Sequence, residues 1–362
     1  MHPRNQDYYF GLNPKISIIT PNFNKGEAVR ECVASLINQS FQNWEQHFID
    51  DGSTDGSFEA AIEAANGDER FIFSRNTTGT KGANAARNLG IEKAQSEFII
   101  FLDSDDLMTE NCLTDRLHDF EANKDLDYIV YPMGVFNDKI GDSKFISNIP
   151  SSASDLHRFL NRDIVWLISG PIWKKKSLLS LGCFDLRLHS QQDYDLHVRA
   201  LIADLKYRYI HETPTIFYRQ NINSIPRTTS QSVDHFRQRF QMILRHYDLL
   251  MSAGMLGQQE RVLLARYILD IAQMMRWHLK TLGKNALNEA LSMWKKAFDL
   301  ELVDKKKYNV GISYLRFKHN MVFNRLGFLQ RYLEKNFREN LGEYIFYPNT
   351  TYCNVTVGDY ES

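Results

Sequence analysis

Apolar and polar positions follow two rhythms over the first hundred residues. Ile16-Ser17-Ile18-Ile19-Thr20 is a short β-rich run that breaks at Pro21 and the polar stretch Asn22 to Gly26. Val29, Val33, Leu36 and Ile37 then fall at helical spacing. Gln46 to Asp50 reads as a second strand and ends in the turn-rich DDGSTDGS, where Asp55 or Ser57 is placed to cap a helix with Glu59 in its first turn. Arg70 to Ser74 predicts a third strand, Ala83 to Ala94 a helix, and Phe98 to Leu102 a fully apolar strand. Strands alternating with helices predict an α/β fold, a mostly parallel sheet with helices on both faces. Ligands of such sheets bind beyond the carboxyl ends of the strands, so the polar residues after each strand are the ones to watch.

After Asp106 the pattern loosens. Thr109 to Ala122 predicts a helix, Tyr128 to Phe136 a strand, Asp138 to Ser154 an exposed connection, Gln192 to Ala203 a helix, and Tyr207 to Tyr218 an extended segment. Residues 221–231 are rich in Asn, Ser, Thr and Pro, which places a boundary there. Beyond it Phe236 to Met251, Gly257 to Leu282, Asn285 to Leu300 and Phe317 to Phe337 read as helices. The expected organisation is a catalytic domain over 1–225, an α-helical C-terminal extension over 226–340 and a tail over 341–362.

Composition narrows the class. The 362 residues, 43% hydrophobic and 24% charged, suit a globular protein with a core large enough to need no staples. Cys32, Cys112, Cys183 and Cys353 lie far apart with no C-x-x-C pair, which argues against a disulfide framework or a cysteine zinc site. No apolar run approaches the ~18–20 residues of a membrane span. The start, MHPRNQDYYF, lacks the apolar stretch of a secretory signal, so a cytoplasmic protein is expected. The net charge of −1 hides an asymmetry: residues 231–362 hold 19 Lys and Arg against 13 Asp and Glu, and residues 1–230 hold 24 against 31.

Chemistry concentrates after the strands. In Phe101-Leu102-Asp103-Ser104-Asp105-Asp106, three carboxylates crowd the end of an apolar run. Carboxylates so close repel one another and favour a cation, and hard oxygen ligands suit Mg²⁺ or Mn²⁺. A capped turn would use the same residue types. Asp50-Asp51-Gly52-Ser53 forms a second acidic turn at the same sheet edge, where Asp51 is placed either to accept hydrogen bonds from a base or ribose or to prepare the next helix. Lys81, Gly82 and Arg87 lie in TGTKGANAARNLG at a helix start, which attracts phosphate, although Arg87 is equally suited to hold a cleft carboxylate. The stretch is neither a Walker loop nor a dinucleotide fingerprint.

SIITPNFN, IDDGSTDGS, GANAARNLG and FLDSDD, in that order and spacing, resemble the family 2 glycosyltransferases of bacterial surface-polysaccharide synthesis. The resemblance covers about residues 14–220. It implies the GT-A fold, a Rossmann-like mixed sheet. It also implies transfer of a sugar, with inversion, from a nucleotide-sugar donor (a UDP-sugar is favoured) to an acceptor hydroxyl, with a divalent metal, Mn²⁺ or Mg²⁺. Carried over by position, Pro21 lies beside the nucleobase, Asp51 binds it, Asp103 sits near the ribose, and Asp105 is the main metal ligand with Asp103 beside it. Thr20, Asn22, Lys81, Arg87 and Ser104 complete the donor set. The family's later signature reads here as Ser169-Gly170-Pro171, Gly182-Cys183-Phe184-Asp185 and Gln192-Asp193-Tyr194-Asp195. The family's base is the Asp of a Glu-Asp pair, which maps to Asp193. Gln192 stands where the Glu would be and removes a neighbouring charge. Asp195 is the competing base, but two residues along a helix point about 200° apart, so only one of them faces the cleft. Trp166, Gly170, His189 and Gln192 are the acceptor-side candidates. For Trp166 and Trp173, core burial competes with a sugar platform.

Two other classes share these features: a non-catalytic module that binds nucleotide sugars, and a nucleotidyltransferase. The latter would need a Gly-rich phosphate loop after the first strand, where Thr20-Pro21-Asn22-Phe23-Asn24 stands instead. The late basic stretch, residues 304–339, interleaves nine Lys and Arg with aromatic and aliphatic residues. That pattern suits either an interfacial helix on an anionic membrane surface, peripheral at its inner face, or a helix packing on the catalytic domain or across a homodimer. A saccharide or lipid-linked acceptor would fit the first. No nucleic-acid module is recognisable, and the first domain is acidic.

Overall fold

The computed structural model describes residues 14–147, 151–163, 165–210, 213–220, 232–278, 282–283 and 285–319, with single positions and short pieces between 335 and 356. The first strand, β1 (Ile16–Asn22), is buried on both faces. Ile16 and Ile18 pack with Val29, Val33 and Leu36 of α1 (Ala28–Ile37) on one side, and Ile19 packs with Ile91 of α3 (Ala83–Lys93) on the other. A near-continuous apolar run is what a parallel strand covered by helices on both faces requires. α3 approaches so closely that a Cβ on Gly90 would sit 2.4 Å from Ile19 Cγ2, so only glycine fits there.

The chain continues through β2 (Trp44–Asp50), α2 (Ser57–Ala65), β3 (Phe71–Arg75), α3 and β4 (Phe98–Phe101). β2 and β4 pair with β1 in parallel on opposite sides, and β3 pairs with β2. The chain thus builds outward from β1 to β3 and then returns to the other side of β1. That reversal opens a crevice at the carboxyl ends of β1 and β4, the place where such sheets bind ligands. α4 (Cys112–Ala122), β6 (Tyr128–Val130), α5 (Asp155–Leu160), β9 (Pro171–Lys174), α6 (Lys175–Ser180), α7 (Gln192–Ile202) and β10 (Tyr207–Tyr209) follow. They complete a sheet of order β10-β6-β9-β4-β1-β2-β3 in which β9 alone runs against its neighbours. The fold is the expected mixed, mostly parallel α/β sheet.

A second sheet, order β12-β8-β7-β11-β5, joins β5 (Leu107–Met108), β7 (Met133–Phe136), β8 (Phe145–Ser147), β11 (Ile216–Arg219) and β12 (Val355–Thr356). It corrects three expectations. The run Tyr128 to Phe136 is two strands, β6 in the first sheet and β7 in the second, because a continuous apolar run carries no mark where the chain changes sheets. Tyr207 to Tyr218 divides in the same way into β10 and β11. The connection Asp138 to Ser154 contains β8, whose Ile146 is buried against β7.

Among the described residues, α8 (Val233–Ser252), α9 (Gln258–Met274), α10 (Asn285–Asp299) and α11 (Lys305–Lys318) follow. The helix expected over Gly257 to Leu282 ends its α-helical part at Met274 and continues as a 3₁₀ turn, Met275–His278. The boundary at 225/226 and most of Phe317 to Phe337 lie outside the described residues, as do Arg325 and Arg331. α11 begins earlier than that expected helix, where the Asp304 side chain accepts from Lys307 N and caps the lysine run. One apolar cluster runs from Ile19, Phe101 and Trp173 of the sheet through Leu196 of α7 to Met242, Leu264 and Trp294 of the C-terminal helices. Those helices are therefore built onto the core of the sheet.

Candidate functional site

Asn22 ends β1 and organises the cleft floor. Its amide donates to Asp50 Oδ1 at 3.0 Å and to the Ser53 and Ser57 hydroxyls, and its carbonyl accepts from Ser104 Oγ at 2.9 Å. One side chain thus ties together the turns after β1, β2 and β4. Gly52 follows with φ +95°, a left-handed conformation that glycine adopts at no steric cost, and a Cβ there would meet Lys81 Nζ at 2.9 Å. Asp51 accepts from Asn76 Nδ2 and from the Gly82 N–H, both at 2.7 Å, and the Lys81 ammonium rests on its carbonyl at 2.9 Å. Both carboxylate oxygens of Asp51 therefore already have donors, and the residue still lines the cleft.

Arg87 projects from α3 under the floor. It is buried, donates to Asp103 Oδ1 at 2.7 Å, and lies over the Phe184 ring at 5.4 Å. Its Nε has no hydrogen-bond partner among the described residues. A buried, orphaned guanidinium donor is costly unless a ligand completes it. Asp105 accepts from Lys25 Nζ at 2.5 Å. Asp106 is buried and accepts from the Arg219 N–H at 3.1 Å; its burial, with Asp103 and Asp105 alongside, pushes its carboxyl well above the usual range. Among the described residues no group of three or more His, Cys, Asp or Glu is gathered for a metal. The all-oxygen chemistry of Asp103 and Asp105 nonetheless suits a hard divalent ion, and Lys25 already sets a positive charge on Asp105. The remaining ligands would have to be donor phosphates and water.

The cleft, about 490 Å³, runs from Pro21, Asn22, Phe23, Lys25 and Asp51 past Arg87 and Asp103 to Phe159, Arg162, Asp163, Trp166 and residues 191–194. It unites Pro21, Asn22, Asp51, Arg87, Asp103, Trp166, Gln192 and Asp193 from the sequence-derived set. Other members lie elsewhere. Thr20 is buried and accepts from Gln46. Ser104 is buried and turned toward Asn22. Lys81, Gly170, His189 and Asp105 are not among the cleft-lining residues, and His189 is exposed with its ring against His235. Trp173 is core, stacked between Tyr128 and His197, and Trp166 shows only 1% of its surface.

α7 separates the two aspartates that competed for the base. Asp193 lines the cleft, with the Ile168 N–H at 3.3 Å from Oδ2, and burial raises its pKa against the pull of the Arg87 charge. Asp195 faces α8. It pairs with Arg199 at 2.8 Å and His246 at 3.0 Å; burial alone would raise its carboxyl, but the His246 and Arg199 partners overcome that and hold it at about 2.

Sequence reasoning passed over Lys25, Phe159, Arg162, Asp163 and Gln191. Lys25 stood in plain sight after β1, where a cation facing an acidic turn could have been inferred. Phe159 lies in α5, Arg162 and Asp163 in the loop after it, and Gln191 at the start of α7, and none of them carries a motif of its own.

A parallel sheet whose reversal point opens onto an acidic and basic cleft is the arrangement at which α/β proteins bind ligands. Residues 17–169 match the family model described as glycosyl transferase family 2. It is 43% identical over 105 residues to an uncharacterized glycosyltransferase of Haemophilus influenzae, covering 29% of this chain and 42% of that protein. It is 28% identical over 243 residues to the putative colanic acid biosynthesis glycosyl transferase WcaA of Escherichia coli, covering 65% of this chain and 82% of that protein. The matched stretch thus spans about two fifths of the first relative and most of the second. Among solved structures, Staphylococcus aureus TarS 1–349 in complex with UDP-GlcNAc superposes with a TM-score of 0.60 at 18% identity, over 90% of this chain and 92% of that one, which establishes the shared GT-A type fold. Among the described residues, no helix is long and apolar enough to cross a membrane.

Proposed function

We propose that the protein transfers a sugar from a nucleotide-sugar donor to an acceptor hydroxyl, with inversion, in the synthesis of a surface polysaccharide or glycolipid. The observation that carries this reading is the placement of Asp193 in the same cleft as the Asp51, Arg87 and Asp103 set. Asp51 and Pro21 hold the base end of the donor, and Asp103 the ribose. The unpartnered Nε of Arg87 suits a donor oxygen at the floor. Asp193 takes the proton from the acceptor hydroxyl as that oxygen attacks the anomeric carbon and the bond to the diphosphate breaks. A raised pKa makes the carboxylate a stronger base than an exposed one. A divalent ion, held by Asp105 with Asp103, would neutralise charge developing on the leaving diphosphate when bound. Relatives named for cell-surface polymers, including WcaA and a Bacillus subtilis protein named for teichuronic acid biosynthesis, support the substrate class.

The test is donor turnover with a panel of nucleotide sugars. Asp193→Asn should abolish transfer while retaining nucleotide affinity; near-native turnover of that variant would remove Asp193 from the role. For the late basic stretch, packing on the catalytic domain is favoured, since Tyr314, Leu315 and Phe317 of α11 join the core cluster, and docking on an anionic bilayer is the alternative. It is checked by liposome flotation of the full chain, and failure to bind anionic vesicles would end it.

A further inference from the structure

Two non-glycine residues in the cleft wall hold left-handed backbone. Arg162 has φ +70° and Gln191 φ +64°. Left-handed backbone is uncommon outside glycine and strained for a side chain as bulky as arginine. Arg162 occupies the position after the end of α5 where a glycine is the usual solution: its N–H bonds Phe159 O at 2.7 Å, and the Asp163 N–H bonds Arg158 O at 2.9 Å. Gln191 stands at the start of α7, two residues before Asp193.

Both side chains are held by the same helix. The Arg162 guanidinium pairs with Asp270 of α9 and lies over the Tyr267 ring at 4.8 Å. The Tyr267 hydroxyl donates to Gln191 Oε1 at 3.3 Å. The Asp270 carboxylate, itself buried, also accepts from Gln273 at 2.7 Å. Two further links join α9 to the segment around α5: Glu260 to His157 and Arg266 to Asn161. The C-terminal helix therefore fixes two strained residues on the cleft wall beside Asp193. Strain kept in this way marks sites where a side chain is needed at a set position.

We infer that Arg162 and Gln191, with Asp163 beside them, form the saccharide-acceptor subsite, and that Tyr267 and Asp270 of α9 are its positioning residues. A planar donor fork, an amide and a carboxylate within one wall match the vicinal hydroxyls of a sugar, which both donate and accept. The inference rests on the proposed glycosyl transfer and names its acceptor side.

The decisive variant is Arg162→Gly, because glycine suits the backbone there. A purely structural arginine predicts a lowered melting temperature, because the buried Asp270 loses its partner, with an unchanged KM ratio. The acceptor role predicts the same lowering together with a KM for the saccharide raised at least tenfold relative to KM for the donor. Tyr267→Phe should raise the same ratio about threefold. The probes are p-nitrophenyl glycosides of glucose, galactose, mannose and N-acetylglucosamine, used with whichever nucleotide sugar the full-length protein turns over. Arg162→Gly with an unchanged KM ratio overturns the inference. So does wild-type protein that hydrolyses donor yet transfers to none of the glycosides. Absence of any donor turnover in the wild type overturns instead the glycosyl transfer on which the inference stands.

Discussion

Asp195→Ala tests whether the two neighbouring aspartates of α7 have divided their work. Asp195 is buried between Arg199 and His246, and its pKa is held at about 2 against an ordinary 3.8. A difference of nearly two pKa units corresponds to about 2 kcal/mol of stability at neutral pH. Removing the carboxylate also leaves two buried cationic or polar partners around a void, and breaking such a pair costs about 3–5 kcal/mol. Arg199 keeps its bonds to Leu181 O at 2.7 Å and Cys183 O at 2.8 Å, which favours the lower end of that range. The expected loss is therefore about 3 kcal/mol. Urea unfolding followed by tryptophan fluorescence at pH 7.5 measures it, with Asp193→Asn as the reference. That second substitution should change stability by less than about 1 kcal/mol, because an amide tolerates burial better than the raised carboxylate it replaces. The sign with pH is fixed too. A depressed carboxylate stabilises above its unfolded pKa, so the Asp195 contribution is present above about pH 4 and is lost as the pH falls toward 2. An Asp195→Ala variant within 1 kcal/mol of wild type would refute the division, since Asp195 would then not be a structural anchor.

Other predictions follow from the same geometry. His197 is buried with neither ring nitrogen bonded among the described residues, and burial together with Arg199 lowers its pKa to about 3. Its stabilising neutral form is complete above about pH 6.5, so urea unfolding should lose about 2 kcal/mol between pH 7.5 and 5, and His197→Phe should flatten that slope. Because burial raises Asp193, the acid limb of kcat/KM should sit above the ordinary carboxylate range, activity falling as the pH drops through it; a limb at or below pH 4 would count against Asp193 as base. Gly90→Ala should cost about 1–3 kcal/mol by pressing α3 off Ile19, read from the same urea midpoint. Asp105→Ala should weaken UDP binding in Mn²⁺ but not in its absence, measured by calorimetry; equal affinities in both conditions would end the metal role of Asp105.

The sheet edge was legible because its information is local. Ile16 to Thr20 and Phe98 to Leu102 announce buried strands by composition, and the residues after each strand are fixed in place by the strand itself. Asp51, Arg87 and Asp103 therefore reach one cleft as the motif order predicts. The second sheet was not legible for the opposite reason. β5 pairs with β11 more than a hundred residues later, and β7 gains partners from β8 and β11, so no single segment carries the pattern. The far wall of the cleft follows the same logic. Arg162 meets Asp270 and Gln191 meets Tyr267 across gaps of 108 and 76 residues. Nothing near Arg162 in sequence distinguishes it from an exposed loop arginine; only the packing of α9 gives its charge a fixed direction. The same difference bears on Asp195, whose helical phase showed that it faced away from Asp193, whereas its partner His246 lies 51 residues beyond it. A helical extension that began as a charge asymmetry thus bears on the cleft through α9, whose Asp270 and Tyr267 hold Arg162 and Gln191 of its wall.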